Sequence, residues 1–342
     1  MNIAVLAGGY SHERDVSLTS ASLISNALID EGHKVCLCDV YLGINLADKD
    51  DIFTDTKPEI YKVESSVPDL DALKAQSGNG DALIGNGVIE LCKMADVVFL
   101  ALHGSMGENG QLQATLDNFG IKYTGSGYVG SLLAMDKDIS KKLFKFSGVV
   151  TPEWIRCDKT VSINEIIEKI GFPCVVKPTS SGSSVGISLV DNEDELISAL
   201  EIAQKYEDSI LIEKQIKGRE FTVGVLDGKV LPIIEIIPTE GFYDYENKYQ
   251  AGKTQEICPA NISESLKNRL SEQTLLAFET LRLSGYARFD FLADENENTF
   301  CLEANTLPGM TPTSLLPQMA AAIGISYGKL CSKIIETALK NA

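Results

Sequence analysis

Histidine is scarce in this chain, with three in 342 residues, and tryptophan scarcer still, with one. So few histidines put imidazole zinc sites and Ser-His-Asp chemistry at a disadvantage. Cys-x-x-Cys pairs are absent. The eight cysteines are scattered, mostly in apolar surroundings, and read as buried free thiols of a reducing compartment. No apolar run approaches the ~20 residues of a membrane span. Met1-Asn2-Ile3-Ala4-Val5 has no basic region ahead of its apolar stretch, so the start reads as a strand and not a signal peptide. Positive charge is in deficit: 30 Lys and Arg against 48 Asp and Glu leave a formal charge of −18. That balance argues against nucleic acid or anionic membrane as a main partner, and an anionic ligand then needs a local cluster of cations or a metal. A soluble cytoplasmic protein with room for two or three domains is expected.

What is present centres on residues 286–315. Ala287 to Ala293 alternates apolar and polar residues, Asp294 to Asn298 is turn-prone, and Thr299 to Asn305 alternates again. A hairpin follows in which Asp290 faces Glu303 and Arg288 faces Asn305, with all four on one face. Phe289, Phe291, Leu302 and Ala304 line or flank the other face. Two carboxylates directly opposite one another repel. A divalent cation between them reverses the sign, since Asp, Glu and Asn oxygens suit Mg²⁺. A solvated acidic hairpin is the plainer alternative. Leu307-Pro308-Gly309-Met310-Thr311-Pro312 then forms a rigid turn able to aim the Gly309 N–H at an anion.

The chain opens as a βαβ unit: a strand over 2–7, Gly8-Gly9, a helix to about Gly32 and a strand over 35–40. Turns at the carboxyl ends of such strands are ligand positions. Gly8, Gly9, Ser11, Glu13 and Arg14 lie there, although on residues alone Glu13 reads more simply as a first-turn acid favouring the helix dipole. Residues 43–90 show weak periodicity and suggest no role. A strand over 96–102 delivers His103, which is either a core histidine or a ligand contact. Gly125-Ser-Gly-Tyr-Val-Gly130 matches G-x-G-x-x-G. The second strand and acid of a dinucleotide fold do not follow it, because the next segment is a lysine-rich helix with Ile139, Leu143 and Phe146 on one face. NAD binding is therefore rejected, and Lys137 is kept as a phosphate candidate. Beyond Thr151-Pro152, a strand over 172–176 delivers Lys177 into Pro178-Thr-Ser-Ser-Gly-Ser-Ser-Val-Gly186, a loop able to cover phosphates. An idle hairpin is the alternative. Asn192 with Glu195 forms a capping box, and strands are expected over 210–214, 221–226 and 230–237. The polar, aromatic-rich stretch 238–260 has the length of a lid, with Lys248 and Tyr249 its most useful pair. Ser263 caps the helix that leads into the hairpin.

Five of these stretches together resemble the D-alanine–D-alanine ligases of the ATP-grasp superfamily. They are Gly8-Gly-Tyr-Ser-His-Glu-Arg-Asp-Val-Ser-Leu, Ala101-Leu-His-Gly, the loop from Val176 to Gly186, Phe242-Tyr-Asp-Tyr-Glu-Asn-Lys-Tyr and Leu302-Glu-Ala-Asn-Thr-Leu-Pro-Gly-Met-Thr. Asn109 stands where that family often has Asp. The resemblance implies an α/β chain, α+β in its ATP-binding part: an ATP-grasp fold behind an N-terminal Rossmann-like domain. The divisions are 1–124 for the substrate domain, 125–210 for the central subdomain and 211–342 for the C-terminal one with its lid. It further implies that Lys137, Lys177, Lys214 and Lys248 serve ATP, that Ser181, Ser183 and Ser184 cover its phosphates, and that Glu213 and Glu220 meet its adenine and ribose edge. Asp290, Glu303 and Asn305 would hold two Mg²⁺ or Mn²⁺. Glu13 would take the ammonium of one D-alanine, His103 would contact substrate, and Ser314 with the Leu315 amide would take the other carboxylate. Arg288 and Gly309 would stabilise the oxyanion, and Ser183 and Tyr249 would link the two halves. A homodimer is implied as well. A D-alanine–D-lactate ligase and a non-catalytic nucleotide-binding module stand as rival readings.

Overall fold

The computed structural model describes residues 1–47, 52–63, 68–158, 161–180, 182, 186–238 and 254–340. Strand β1 (Asn2–Ala7) is fully buried from Ile3 onward, as expected of a central parallel strand covered on both faces. It pairs in parallel with β2 (Lys34–Asp39) on one side and β3 (Val97–Leu100) on the other. The helix Arg14–Asp30 connects β1 to β2. Ser17 ties the carboxyl ends of β1 and β3 together: its Oγ accepts from Gly8 N at 2.9 Å and donates to Ala101 O at 2.7 Å. In the stretch that suggested no role, Thr54 bridges to Val35 and Phe53 is buried, while the helix Leu70–Ser77 buries none of its residues.

A second sheet is antiparallel, in the order β4-β7-β5-β6, from β4 (Trp154–Cys157), β5 (Cys174–Pro178), β6 (Ser188–Val190) and β7 (Ile210–Lys214). Its back face packs on the helices Ile163–Lys169 and Glu193–Ala203. The second helix starts as expected, with Asn192 Oδ1 accepting from Glu195 N at 3.0 Å and Glu195 Oε2 accepting from Asp191 N at 2.8 Å.

The third sheet runs β11-β10-β8-β12-β13, with β9 beside β8. Its strands are β8 (Arg219–Leu226), β9 (Lys229–Val230), β10 (Ile234–Pro238), β11 (Thr254–Ile257), β12 (Tyr286–Ala293) and β13 (Thr299–Asn305). The single strand expected over 230–237 is thus divided, and Pro232, which has no N–H for a ladder, lies at the break. Phe221, Val223, Val225, Ala287, Phe289 and Phe291 fill one side of this sheet against the helix Glu264–Thr280, which Ser263 caps at 3.0 Å. Alternation turns Glu220, Thr222, Arg288 and Asp290 to the opposite side.

Packing decides two features of the stretch 125–147. The helix Lys137–Ser147 leaves Ile139 and Phe146 of its Ile139–Leu143–Phe146 stripe exposed, Phe146 at 91%, with Leu143 half-buried against the core, whereas Lys137, Ser140, Lys141 and Phe144 are buried. This inversion is possible only because acids wait for the two lysines. The glycines of the G-x-G-x-x-G stretch serve packing. A Cβ on Gly130 would lie 2.9 Å from Arg282 O, and Gly285 packs on the Gly125 backbone.

The helix Tyr327–Lys340 returns to the first sheet. Leu330, Ile334 and Ile335 share one core with Ile3, Leu6, Ile24 and Leu28, and Lys329 pairs with Glu31 at 2.5 Å. Truncating a buried aliphatic residue leaves a cavity and costs roughly 2–5 kcal/mol. Ile334→Ala is therefore expected to lower the urea midpoint clearly, and exposed Phe146→Ala to leave it nearly unchanged. Both are read by denaturation monitored by circular dichroism.

Candidate active site

The hairpin has the expected register, with Arg288 opposite Asn305 and Asp290 opposite Glu303. The register then shifts between Asp290 and Phe291, so Phe291 pairs with Cys301 and Leu302 is the extra residue of a bulge. Leu302 consequently lines the cleft beside Glu303 instead of the apolar face, and Cys301 joins the core in its place. Cations offset the repulsion of the two acids. Arg288 donates to both oxygens of Asp290, from Nε at 3.1 Å and Nη2 at 2.9 Å. Thr222 Oγ1 donates to Asp290 Oδ1 at 2.7 Å and Asn305 Nδ2 to Oδ2 at 3.1 Å. Glu303 pairs with Lys137 at 3.3 Å.

Across the cleft, antiparallel pairing puts Val175 beside Glu213 and Lys177 beside Leu211, so Lys177 and Glu213 project from the same face of the second sheet. Lys177 Nζ donates to Glu213 Oε1 at 2.6 Å, and Lys141 Nζ donates to Oε2 at 2.8 Å and to Thr151 Oγ1 at 2.6 Å. Burial pushes the Glu213 carboxyl up, but the two ammonium groups outweigh it and hold it down at about 2. Burial lowers Lys141 to about 8 despite the pull of Glu213. Two lysines around one carboxylate leave this cluster with surplus positive charge.

The two sheets enclose a cleft of about 590 Å³. Val175, Ile187, Leu189, Ile216 and Leu292 give it apolar walls, and Lys137, Lys177, Lys214, Glu213, Glu220, Asp290 and Glu303 give it charge. An apolar slot with a few convergent polar groups suits a flat heterocycle carrying an anionic tail. Chain ends of the segment 239–253 meet at its rim, since Pro238 pairs with Thr254.

A third cluster lies where the first sheet approaches the hairpin. Glu13 stands at the N-cap of its helix, yet its side chain makes no cap bond. Its Oε2 instead lies 2.5 Å from where a Cβ on Gly104 would sit and 3.7 Å from that of Gly182. With φ of +68° as well, position 104 admits only glycine. His103 is buried and its Nε2 is 3.4 Å from Ser20 Oγ. Burial lowers its pKa, Glu13 and a hydrogen bond to the Leu307 backbone raise it, and Arg288 lowers it. Glu108 accepts from Gly104 N at 2.6 Å and from the Leu307 backbone. Burial and the nearby Glu13 push its carboxyl up to about 7, against those two bonds and Arg288. Arg14, placed among the ligand positions, is committed elsewhere: it donates to Asp39 at 2.7 Å and to Gly9 O at 2.9 Å.

Ser314, Leu315 and Gly309 sit apart from the cleft walls. Ser314 precedes the helix Leu315–Ala322 without capping it, and its Oγ accepts from Thr311 N at 3.1 Å. A Cβ on Gly309 would come within 2.9 Å of that hydroxyl, so the turn closes tightly on itself. Ser181, Ser183, Ser184, Lys248 and Tyr249 lie outside the described residues. Among the described residues, no group of three or more His, Cys, Asp and Glu could hold a metal ion. Three contributors went unread in the sequence. Lys141 was open to inference, being one turn from Lys137 on the same helix face. Thr222 depended on strand register, and Glu108 carried no signal of its own.

Two sheets clamping a charged cleft, behind a parallel N-terminal unit, define an ATP-grasp protein. Residues 2–126 match the family model for the D-ala D-ala ligase N-terminus and residues 137–336 that for its C-terminus. The chain belongs to the D-alanine–D-alanine ligase family. It is 42% identical to a D-alanine–D-alanine ligase of Pediococcus pentosaceus, over 98% of this chain and 97% of the relative. A counterpart from Lacticaseibacillus casei is 40% identical over 99% of this chain and 96% of its own. Among solved structures, a Bacillus anthracis D-alanine–D-alanine ligase complexed with ATP superposes with a TM-score of 0.78 at 34% identity, over 100% of this chain and 98% of its own.

Glu108 offers a pH test. From about 4.5 to about 7 the folded chain keeps a proton that the unfolded chain releases, so its contribution falls as pH rises through that window. Glu108→Gln does not titrate. Its melting temperature, followed from below to above that window, is expected to decline less than that of the wild type.

Proposed function

We propose that the chain joins two D-alanine molecules into D-alanyl-D-alanine while ATP becomes ADP and phosphate, through a D-alanyl phosphate intermediate, supplying peptidoglycan precursors. The observation that carries this reading is the cleft of about 590 Å³ with apolar walls, lined by the cations Lys137 and Lys177 and by the acids Asp290 and Glu303. That is the charge pattern a triphosphate needs, in a chain of this family.

The nucleotide base takes the apolar part of the cleft, with Glu213 and Lys214 near its polar edge and Glu220 near the ribose. Lys137 and Lys177 meet the phosphates as point charges, and Ser181, Ser183, Ser184 and Lys248 complete their enclosure. Asp290, Glu303 and Asn305 share one face of the hairpin, and their two carboxylates and one amide oxygen are the hard donors that would hold two Mg²⁺ or Mn²⁺. Ions held there would supply charge neutralisation to phosphoryl oxygens. Glu13 holds the ammonium of the first D-alanine, with His103 behind it. The carboxylate of that molecule attacks the γ-phosphorus and ADP departs. Ser314 and the Leu315 N–H, at the start of a helix, hold the carboxylate of the second D-alanine. Its amine, once deprotonated, attacks the acyl carbonyl, and phosphate leaves from the tetrahedral intermediate. Arg288 and the Gly309 N–H stabilise the developing oxyanion, and Tyr249 and Ser183 bridge the two halves around it. The divisions 1–124, 125–210 and 211–342, a cytoplasmic location and a homodimer belong to the same reading. No helix among the described residues is long and apolar enough to cross a membrane.

Incubation with ATP, Mg²⁺ and D-alanine is expected to give a product with the mass of the dipeptide and one ADP per dipeptide. ADP release independent of D-alanine would refute ligation. Glu303→Gln keeps the shape and removes one charge, so ADP release and dipeptide are expected to fall together by at least a hundredfold, roughly 2.7 kcal/mol in the barrier. Wild-type turnover and Mg²⁺ dependence in that variant would remove the hairpin from the metal site.

A further inference from the structure

We propose that Lys141 is a positioning residue that sets the base preference of the nucleotide site, by fixing the Glu213 carboxylate as an acceptor aimed at an exocyclic amine. The inference rests on the reading above only in placing a nucleotide in the cleft. Lys141 has no accessible side chain and, unlike Lys137, Lys177 and Glu213, does not line the cleft. Its ammonium is used up behind the wall, on Thr151 Oγ1 at 2.6 Å and Glu213 Oε2 at 2.8 Å, with the Trp154 ring 5.3 Å away. It is therefore no phosphate ligand.

Burying a lysine is costly, and an apolar residue of similar length could fill the space. What the apolar residue could not do is hold the carboxylate. Glu213 takes Lys177 on Oε1 and Lys141 on Oε2, which fixes its plane and leaves each oxygen further acceptor capacity toward the cleft. An ionised carboxylate accepts only. It welcomes the 6-amino group of adenine and opposes the 6-oxo group of guanine, and sites built on such bonds discriminate strongly. Without Lys141 the carboxylate is free to swing onto Lys177, and the two charges cancel. The acceptor then no longer points at the base.

Calorimetric titration of the full chain with ATP and with GTP, without D-alanine, measures this apart from ligation. The wild type is expected to prefer ATP. Lys141→Met is expected to weaken ATP binding about tenfold, equivalent to about 1.4 kcal/mol, with GTP altered far less, so that the ratio collapses. Lys141→Arg retains the cation and should recover most of the preference. Thr151→Val loosens Lys141 without touching the charge and should reduce the ratio about threefold. It carries the test should the Met variant not fold. Equal weakening of both nucleotides in a folded variant, an unchanged ratio in Thr151→Val, or no wild-type preference would overturn the proposal. Binding of neither nucleotide would instead overturn the nucleotide reading itself.

Discussion

Two carboxylates placed opposite each other on adjacent strands repel, and the architecture around the hairpin answers that constraint. Asp290 is held by Arg288, Thr222 and Asn305 from its own sheet, whereas Glu303 pairs with Lys137 from a helix far away in sequence. The second interaction fixes where the Lys137–Ser147 helix must lie. Its orientation carries Lys141 to Glu213 in the second sheet, one turn further along. A single helix thus connects the acids of both walls, and the cleft between them is defined by charge as much as by apolar packing.

The scarcity of positive charge gives this arrangement its meaning. With a formal charge of −18, the chain presents a repulsive surface to an anion over most of its extent. Buried Lys137 and Lys177 place positive charge among the acids of the cleft, where low dielectric strengthens it. Glu213 moderates the effect by keeping Lys141 and Lys177 close without cancelling both.

Much of this was legible in residue order. Alternation over 287–293 and 299–305 determined the hairpin pairing, because a period of two admits few registers when one face is buried. Ser263 and Asn192 marked helix starts through local bonds. The failures share a physical cause. The bulge at Leu302 arises from ladder geometry, which single-strand periodicity does not contain. The outward Ile139 and Phe146 stripe reversed an amphipathic reading because the decisive partners, Glu303 and Glu213, come from distant strands. Glu108 gains its significance only from packing under Gly104 and Leu307.

The return of the Tyr327–Lys340 helix to the first sheet has a consequence for the order of assembly. Glu31 and Lys329 meet across a sequence separation of 298 residues, and the core around Ile3 and Leu6 includes Ile334 and Ile335. During synthesis the first βαβ unit emerges long before the element that covers it. Its apolar flank then waits, exposed to water and chaperones, until translation has nearly finished. Closing so long a loop is entropically slow. Completion of the N-terminal layer is thereby coupled to the rest of the chain, and a ribosome that stalls before the final helix releases a product whose oldest segment has not matured.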